Sequence, residues 1–265
     1  MKIARIQKIH GGSVLYALLE DDRYMVIKDP FAEKIEITGE EVAFDQAHLL
    51  APVEPRQIIA IGVNYREHAA ECGRPLPDAP VVFVKTLNTL IGSGEDIVLP
   101  AMAPDEVDFE AELAIVVGKT AKNITPEQAD DYILGYTCAM DISARDCQLR
   151  LDMQWARGKC FDTFCPAGPC IATGLDGDNL GISLKLNGET MQDSNTSDMI
   201  FGCRYLVSYL SRCMTLMPGS MILTGTPPGV GVGREPKVFL RPGDKLEMQI
   251  EGIGRLEHRV TAEKI

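Results

Sequence analysis

Short runs of apolar residues, broken by glycine, proline and acidic turns, outnumber stretches of helical period along this chain. In the first fifty residues, segments 1–6, 14–19 and 23–27 read as strands, with Gly11-Gly12 and Asp21-Asp22 supplying turns. A short helix is expected after Gly39. Punctuation at Ala51-Pro52 and Pro55 predicts a small β-rich domain over residues 1–52 and a larger domain over 53–265. In the larger part, residues 57–63 form an apolar run, and Asn64 is placed to cap a short helix through about Cys72. Residues 80–84 read as a strand, and residues 107–117, VDFEAELAIVV, as one long strand ending at Gly118. Thr125-Pro126-Glu127 opens a helix with a proline at its first position. Residues 133–141 form a strand, 182–187 with Gly188 a hairpin, and 198–213 carries a helical apolar period. Segments 245–251 and 255–260 alternate and close the chain as a hairpin. Strands outnumber helices and do not alternate with them regularly. The pattern therefore predicts an α+β, mainly β fold, and disfavours a Rossmann fold or a barrel of β-α units.

Charge narrows the partners. The 265 residues hold 26 Lys and Arg against 38 Asp and Glu, a formal net charge of −12. Nucleic acid and anionic membranes select clustered basic residues, so both are disfavoured as partners. An anionic small substrate is compatible, because one divalent cation reverses the field inside a cleft. No run approaches the roughly 20 apolar residues of a membrane span. The start, MKIARIQKIHGG, has no signal-peptide pattern, so a cytoplasmic location is expected. The eight cysteines include no C-x-x-C pair, and Cys160, Cys165 and Cys170 straddle Pro166, Gly168 and Pro169 without a zinc-ligand pattern. They read as reduced thiols.

Four clusters could carry chemistry. On a strand, Asp108, Glu110 and Glu112 share one face, and Phe109, Ala111 and Leu113 the other. Three aligned carboxylates repel unless water or a cation relieves them, so this face is either solvated or a metal site. Asp141 closes the apolar strand LGYTCAMD and needs a partner there. Glu110, Glu112 and Asp141 together would be the oxygen-only set that Mg²⁺ prefers. Arg145 either pairs with Asp141 or meets an anionic substrate. His68 and Glu71 are three apart, so on a helix they can hydrogen-bond, leaving one imidazole nitrogen free to take a proton from water. Lys159 is either a surface lysine or a neutraliser of a developing oxyanion. The stretch LTGTPPGVGVG lacks the Gly-Lys-Ser/Thr of a nucleotide loop. It reads as a structural turn, or as a turn whose Thr226 and backbone amides meet a carboxylate.

Six separated stretches, IIAIGVNYREHAAE, PVVFVKTLNTLIGSGEDIVLP, VDFEAELAIVVGK, GYTCAMDISARD, KCFDTFCPAGP and LTGTPPGVG, occur in the order of the fumarylacetoacetate hydrolase family, which the chain resembles over residues 55–262. The resemblance implies a mixed β-sandwich roll, usually a homodimer, with Mg²⁺ or Mn²⁺ bound. It implies metal carboxylates at Glu110, Glu112 and Asp141, a water-preparing dyad at His68 and Glu71, a lysine beside the metal at Lys159, and a substrate-binding threonine at Thr226. Lys85 matches the family's FxK stretch, and with Arg145 completes the expected substrate-binding set. After Lys85, Thr86 and Asn88 replace the Pro and Ser of many members. The implied reaction is metal-dependent C–C hydrolysis of an acylpyruvate-type 2-keto acid through an enolate. The alternatives are an isomerase or tautomerase of the 2-hydroxyhepta-2,4-diene-1,7-dioate type and an oxaloacetate decarboxylase. A non-catalytic cation-binding protein would leave His68, Glu71 and Lys159 unexplained. Residues 72–80, rich in Gly and Pro, form either a lid or a rigid surface loop.

Overall fold

The computed structural model describes residues 1–264. Apolar strands dominate it, as the sequence pattern predicts. The larger sheet among the described residues has 12 strands and the second has 5. In the large sheet, Ile133–Met140 lies between Cys165–Ala172 and Ala111–Val117. Beyond Ala111–Val117 come Met221–Leu223, Ile58–Gly62 and the edge strand Val81–Lys85. On the other side, Lys2–Lys8 pairs with Cys165–Ala172 and continues the sheet into the N-terminal strands. The smaller sheet contains Gly181–Leu186, Glu189–Asn195, Lys245–Ile250 and Gly254–Ala262, with Ile97–Leu99 at its edge.

Every residue of Ala111–Val117 is buried, because the strand is covered on both faces. Leu113, Ile115 and Val117 point into the main core with Ile182, Leu184, Leu246 and Met248 of the second sheet. Ala114 and Val116 point the other way, into a second core with Ile58, Ala60, Met221 and Leu223. Glu112 has the parity of Ala114 and Val116, so strand alternation sends its carboxylate to that second side.

Several expectations are corrected. Residues 107–117 are not one strand: Val107–Asp108 pairs with Ser143–Ala144, and the chain leaves strand geometry at Phe109 and Glu110 before Ala111–Val117 begins. The acidic face is buried rather than solvated. After Gly39 the chain stays in the Ile37–Ala43 strand, and only a 3₁₀ turn, Phe44–Gln46, follows. Asn64 does not cap the Arg66–Glu71 helix. Its amide donates to the Phe201 and Thr224 carbonyls, tying two loops together. The Cys165–Ala172 strand was hidden by Pro166, Gly168 and Pro169, which argue locally against a central strand. None of the described helices is long and apolar enough to cross a membrane.

Candidate active site

Strand register assembles the centre of the site. Ala111 pairs with Met140, and just beyond this pair the Asp141 N–H donates to the Glu110 carbonyl at 2.9 Å. The ends of two adjacent strands thus deliver Glu110, Glu112 and Asp141 to one place, with one oxygen from each within 4.8 Å of the others. Neighbouring elements bring buried cations. Lys159, ending the Ala156–Lys159 helix, donates to Glu110 Oε2 and Asp141 Oδ2, both at 2.7 Å. Lys85, ending the edge strand, donates to Asp141 Oδ1 at 2.6 Å and to the Lys159 carbonyl. Arg145 donates to Asp108 Oδ2 at 2.8 Å, Glu110 Oε1 at 2.7 Å and Gln148 Oε1 at 2.8 Å. Its partners are therefore Asp108 and Glu110, and not Asp141.

Four buried carboxylates face three buried cations, which leaves one negative charge when all are ionised. That charge falls on Glu112. Its carboxylate accepts the Gly225 N–H at 2.7 Å, and among the described residues no cationic side chain pairs with it. Burial, with Asp141 and Glu110 beside it, pushes its pKa well above the ordinary carboxylate range. Burial also acts to raise Glu110, but Lys159 and Arg145 outweigh it and hold that carboxyl low. Burial works against the charge on Lys159, yet Asp141 and Glu110 raise its pKa overall, so the ammonium persists. An oxygen-only trio, one member lacking a cation, suits a hard divalent ion such as Mg²⁺ or Mn²⁺.

His68 and Glu71 lie on the Arg66–Glu71 helix, with His68 Nδ1 2.9 Å from Glu71 Oε2. Burial draws the imidazole pKa down, but contacts with Cys72 and Glu71 outweigh it and push the pKa up to about 9. The helix follows Val63, a β-branched residue at φ 54°, in the left-handed region. Such a conformation costs on the order of 1–3 kcal/mol and marks a turn fixed by its surroundings.

The glycine-rich loop does not cradle a phosphate. Its amides hold carboxylates of the chain itself: Gly225 N–H on Glu112 at 2.7 Å, Gly229 N–H on Glu71 at 2.9 Å, and Gly231 and Val232 N–H on Asp108 at 2.7 and 3.0 Å. Thr226 accepts a hydrogen bond from Gln192 at 2.8 Å.

A cavity of about 400 Å³ joins these groups. His68, Glu71, Glu110, Glu112, Asp141, Arg145, Lys159 and Thr226 all line it, as do Cys72 and Arg74 from the 72–80 segment. Lys85 lies outside the lining, and to touch a substrate it would first have to leave Asp141. Sequence reasoning passed over Gln192, Trp155, Arg74 and Lys237. Gln192 gave no signal, since its role is to brace Ala111 and Thr226 from another sheet. Trp155, the single tryptophan, lines the cavity beneath Arg74, whose guanidinium lies 5.7 Å from its ring.

Comparison with known proteins gives the chain its relatives. Residues 57–261 match the family described as Fumarylacetoacetate (FAA) hydrolase C-terminal, and residues 1–52 match one described as Rv2993c-like, N-terminal. An oxaloacetate tautomerase, fahd2, mitochondrial, of Xenopus laevis is 46% identical over 218 residues, covering 80% of this chain and 68% of that protein. The structure of 5-carboxymethyl-2-hydroxymuconate delta-isomerase from Mycobacterium smegmatis superposes with a TM-score of 0.89 at 39% identity, over 99% of this chain and 100% of that one. That of 2-hydroxyhepta-2,4-diene-1,7-dioate isomerase from Mycobacterium marinum gives 0.89 at 37% identity over the whole of both chains. With its motifs, fold and sequence all pointing the same way, the chain belongs to the fumarylacetoacetate hydrolase family.

Proposed function

We propose that the chain is a tautomerase of a small 2-keto dicarboxylic acid of the oxaloacetate type. The observation that carries this reading is a carboxylate-held imidazole, His68–Glu71, opening on the same cavity as a charged buried lysine and a carboxylate trio short of a cation. The named relatives, a tautomerase and two isomerases, support it over the hydrolytic reading. Arg74 and Lys237, both at the cavity wall, suit a second substrate carboxylate.

A divalent cation held by Glu110, Glu112 and Asp141 would supply Lewis-acid polarisation of the keto oxygen. Lys159 adds a fixed positive charge beside the oxygen that becomes negative. His68 carries the proton: in ketonisation its imidazolium, favoured by the raised pKa, donates to the carbon next to the enol carbon, and the imidazole so formed takes the enol hydroxyl proton. Glu71 holds Nδ1 and stabilises the imidazolium. Thr226 accepts from Gln192, so its own hydroxyl proton is available to a substrate carboxylate.

The same dyad also suits activation of water, which keeps acylpyruvate hydrolysis as the second reading. One experiment separates them. Purified protein is given enol-oxaloacetate, and then an acylpyruvate, with Mg²⁺ and with chelator. Loss of the enol's ultraviolet absorbance is followed together with pyruvate release. Metal-dependent ketonisation without pyruvate is expected. Pyruvate with carbon dioxide from oxaloacetate would make the enzyme a decarboxylase, and pyruvate from the acylpyruvate a hydrolase. Ketonisation no faster than in buffer would overturn the tautomerase.

The homodimer is carried as a proposal too. Val81 and Val84 on the edge strand, with Leu87, are exposed and apolar. Sedimentation velocity giving only the monomer at micromolar concentration would remove it.

A further inference from the structure

We propose that His68, Glu71 and Cys72 form a second cation site, which takes a softer ion such as Zn²⁺ and thereby stops proton exchange at His68. The three residues lie on the Arg66–Glu71 helix and its C-cap. Offsets of three and four positions from His68 set them on one face. One ligand atom from each lies within 4.8 Å of the others.

The geometry is close to what a tetrahedral ion needs. Glu71 Oε2 is 2.9 Å from His68 Nδ1, and Cys72 Sγ is 3.9 Å from the same nitrogen. Ordinary zinc bond lengths would set these two separations at roughly 3.4 and 3.6 Å. Side-chain rotations of about half an ångström close the set, leaving a fourth position for water. Two contacts hold the frame: the Gly229 N–H donates to Glu71 Oε1, and the Cys72 N–H donates to the His68 carbonyl.

Ligand type separates this site from the carboxylate trio. Nitrogen, thiolate and one oxygen suit Zn²⁺, whereas an all-oxygen set suits Mg²⁺. Cys72 is exposed and lines the cavity, so an ion reaches it from solvent. Binding releases the thiol proton, and any proton on Nδ1, to solvent, with no change of oxidation state. It also takes the Nδ1 contact from Glu71, so the imidazole loses the partner that stabilises its charged form. Two of the three ligands, His68 and Glu71, are the proposed proton-carrying pair; binding of the ion does not rest on that role, and only its inhibitory effect does.

The test uses Co²⁺ as a spectroscopic probe, because a thiolate ligand gives cobalt a near-ultraviolet charge-transfer band and carboxylates do not. We expect the band in the wild type, in Glu112→Gln and in Cys213→Ser, which lacks the other exposed thiol. It should vanish in Cys72→Ser. No band in the wild type, or a band that survives Cys72→Ser, overturns the site. Zn²⁺ is then added to enzyme saturated with Mg²⁺, each variant being referred to its own zinc-free rate. Half-inhibition of Cys72→Ser should need roughly tenfold more Zn²⁺ or beyond, since losing even a supporting contact of a metal ligand costs that much. Equal sensitivity of the two proteins overturns the inhibitory role.

Discussion

At Glu112 a carboxylate is buried between Asp141 and Glu110, with one backbone N–H on it. Its pKa is raised in the fold, so the metal-free protein gains most from this group while it is protonated. That advantage is lost as pH rises from the ordinary carboxylate range through the raised folded-state value. In chelator, Glu112→Gln should remove this loss, raising the melting temperature at neutral pH, and should abolish Mg²⁺ binding at the carboxylate trio. A variant that melts lower than wild type at every pH would show that the charge at this position is not a burden. The dyad gives a second prediction. Glu71→Gln removes the anion beside Nδ1, so the His68 pKa, pushed up to about 9 in the intact site, should fall, as read from the ring proton resonances of metal-free protein. Turnover should drop about 10²–10⁴-fold, the usual contribution of proton transfer by a positioned side chain. Among single residues, those that combine charge with a special position were legible. Asp141 closed an apolar strand, and His68 with Glu71 had helical spacing. The partners of Lys85 and Arg145 were not, because ion pairs between residues dozens of positions apart depend on register.

At the scale of elements, periodicity located most strands and the Cys203–Cys213 helix, since half-buried elements print their burial in the sequence. It failed where packing overrides propensity. The 107–117 stretch alternates well enough to read as one strand, yet it breaks at Phe109 and Glu110, and the separate Val107–Asp108 strand is held through Asp108 by Arg145 and by the amides of Gly231 and Val232. The glycine-rich loop was recognised as chemical, but the direction of its amides needed the fold. Gly231 is tightly confined: a Cβ there would collide with the Val238 carbonyl oxygen and with Asp108 Oδ1. Gly231→Ala should destabilise by about 1–3 kcal/mol, the usual cost of overpacking. It should also loosen the Asp108–Arg145 pair and weaken cation binding, both measurable by denaturant titration with and without Mg²⁺. Wild-type stability in the variant would show that this loop yields easily.

For the whole molecule, the site is made of segments spread from Ile61 to Lys237 that meet only when the large sheet forms. Cation binding and folding must therefore be linked. A saturating divalent ion at about 100 times its Kd adds about 2.7 kcal/mol of stability. Mg²⁺ should raise the melting temperature of the wild type and leave that of Glu112→Gln unmoved; equal shifts in both would place the ion elsewhere. The chain-wide order of motifs made the family readable before any geometry. The choice among reactions was less readable, because the same dyad and carboxylates serve several enolate chemistries, and the cavity-wall residues Arg74, Trp155 and Lys237 carry no shared pattern.

The loop that clasps Glu112, Glu71 and Asp108 has a consequence for how such a scaffold diversifies. Three segments of the site are fastened to one short stretch of backbone, so their mutual spacing does not depend on the side chains at the cavity wall. Arg74, Trp155 and Lys237 are outside that clasp and can be exchanged without disturbing it. The reactive centre can then keep its geometry while the wall changes, and with it the substrate the cavity admits.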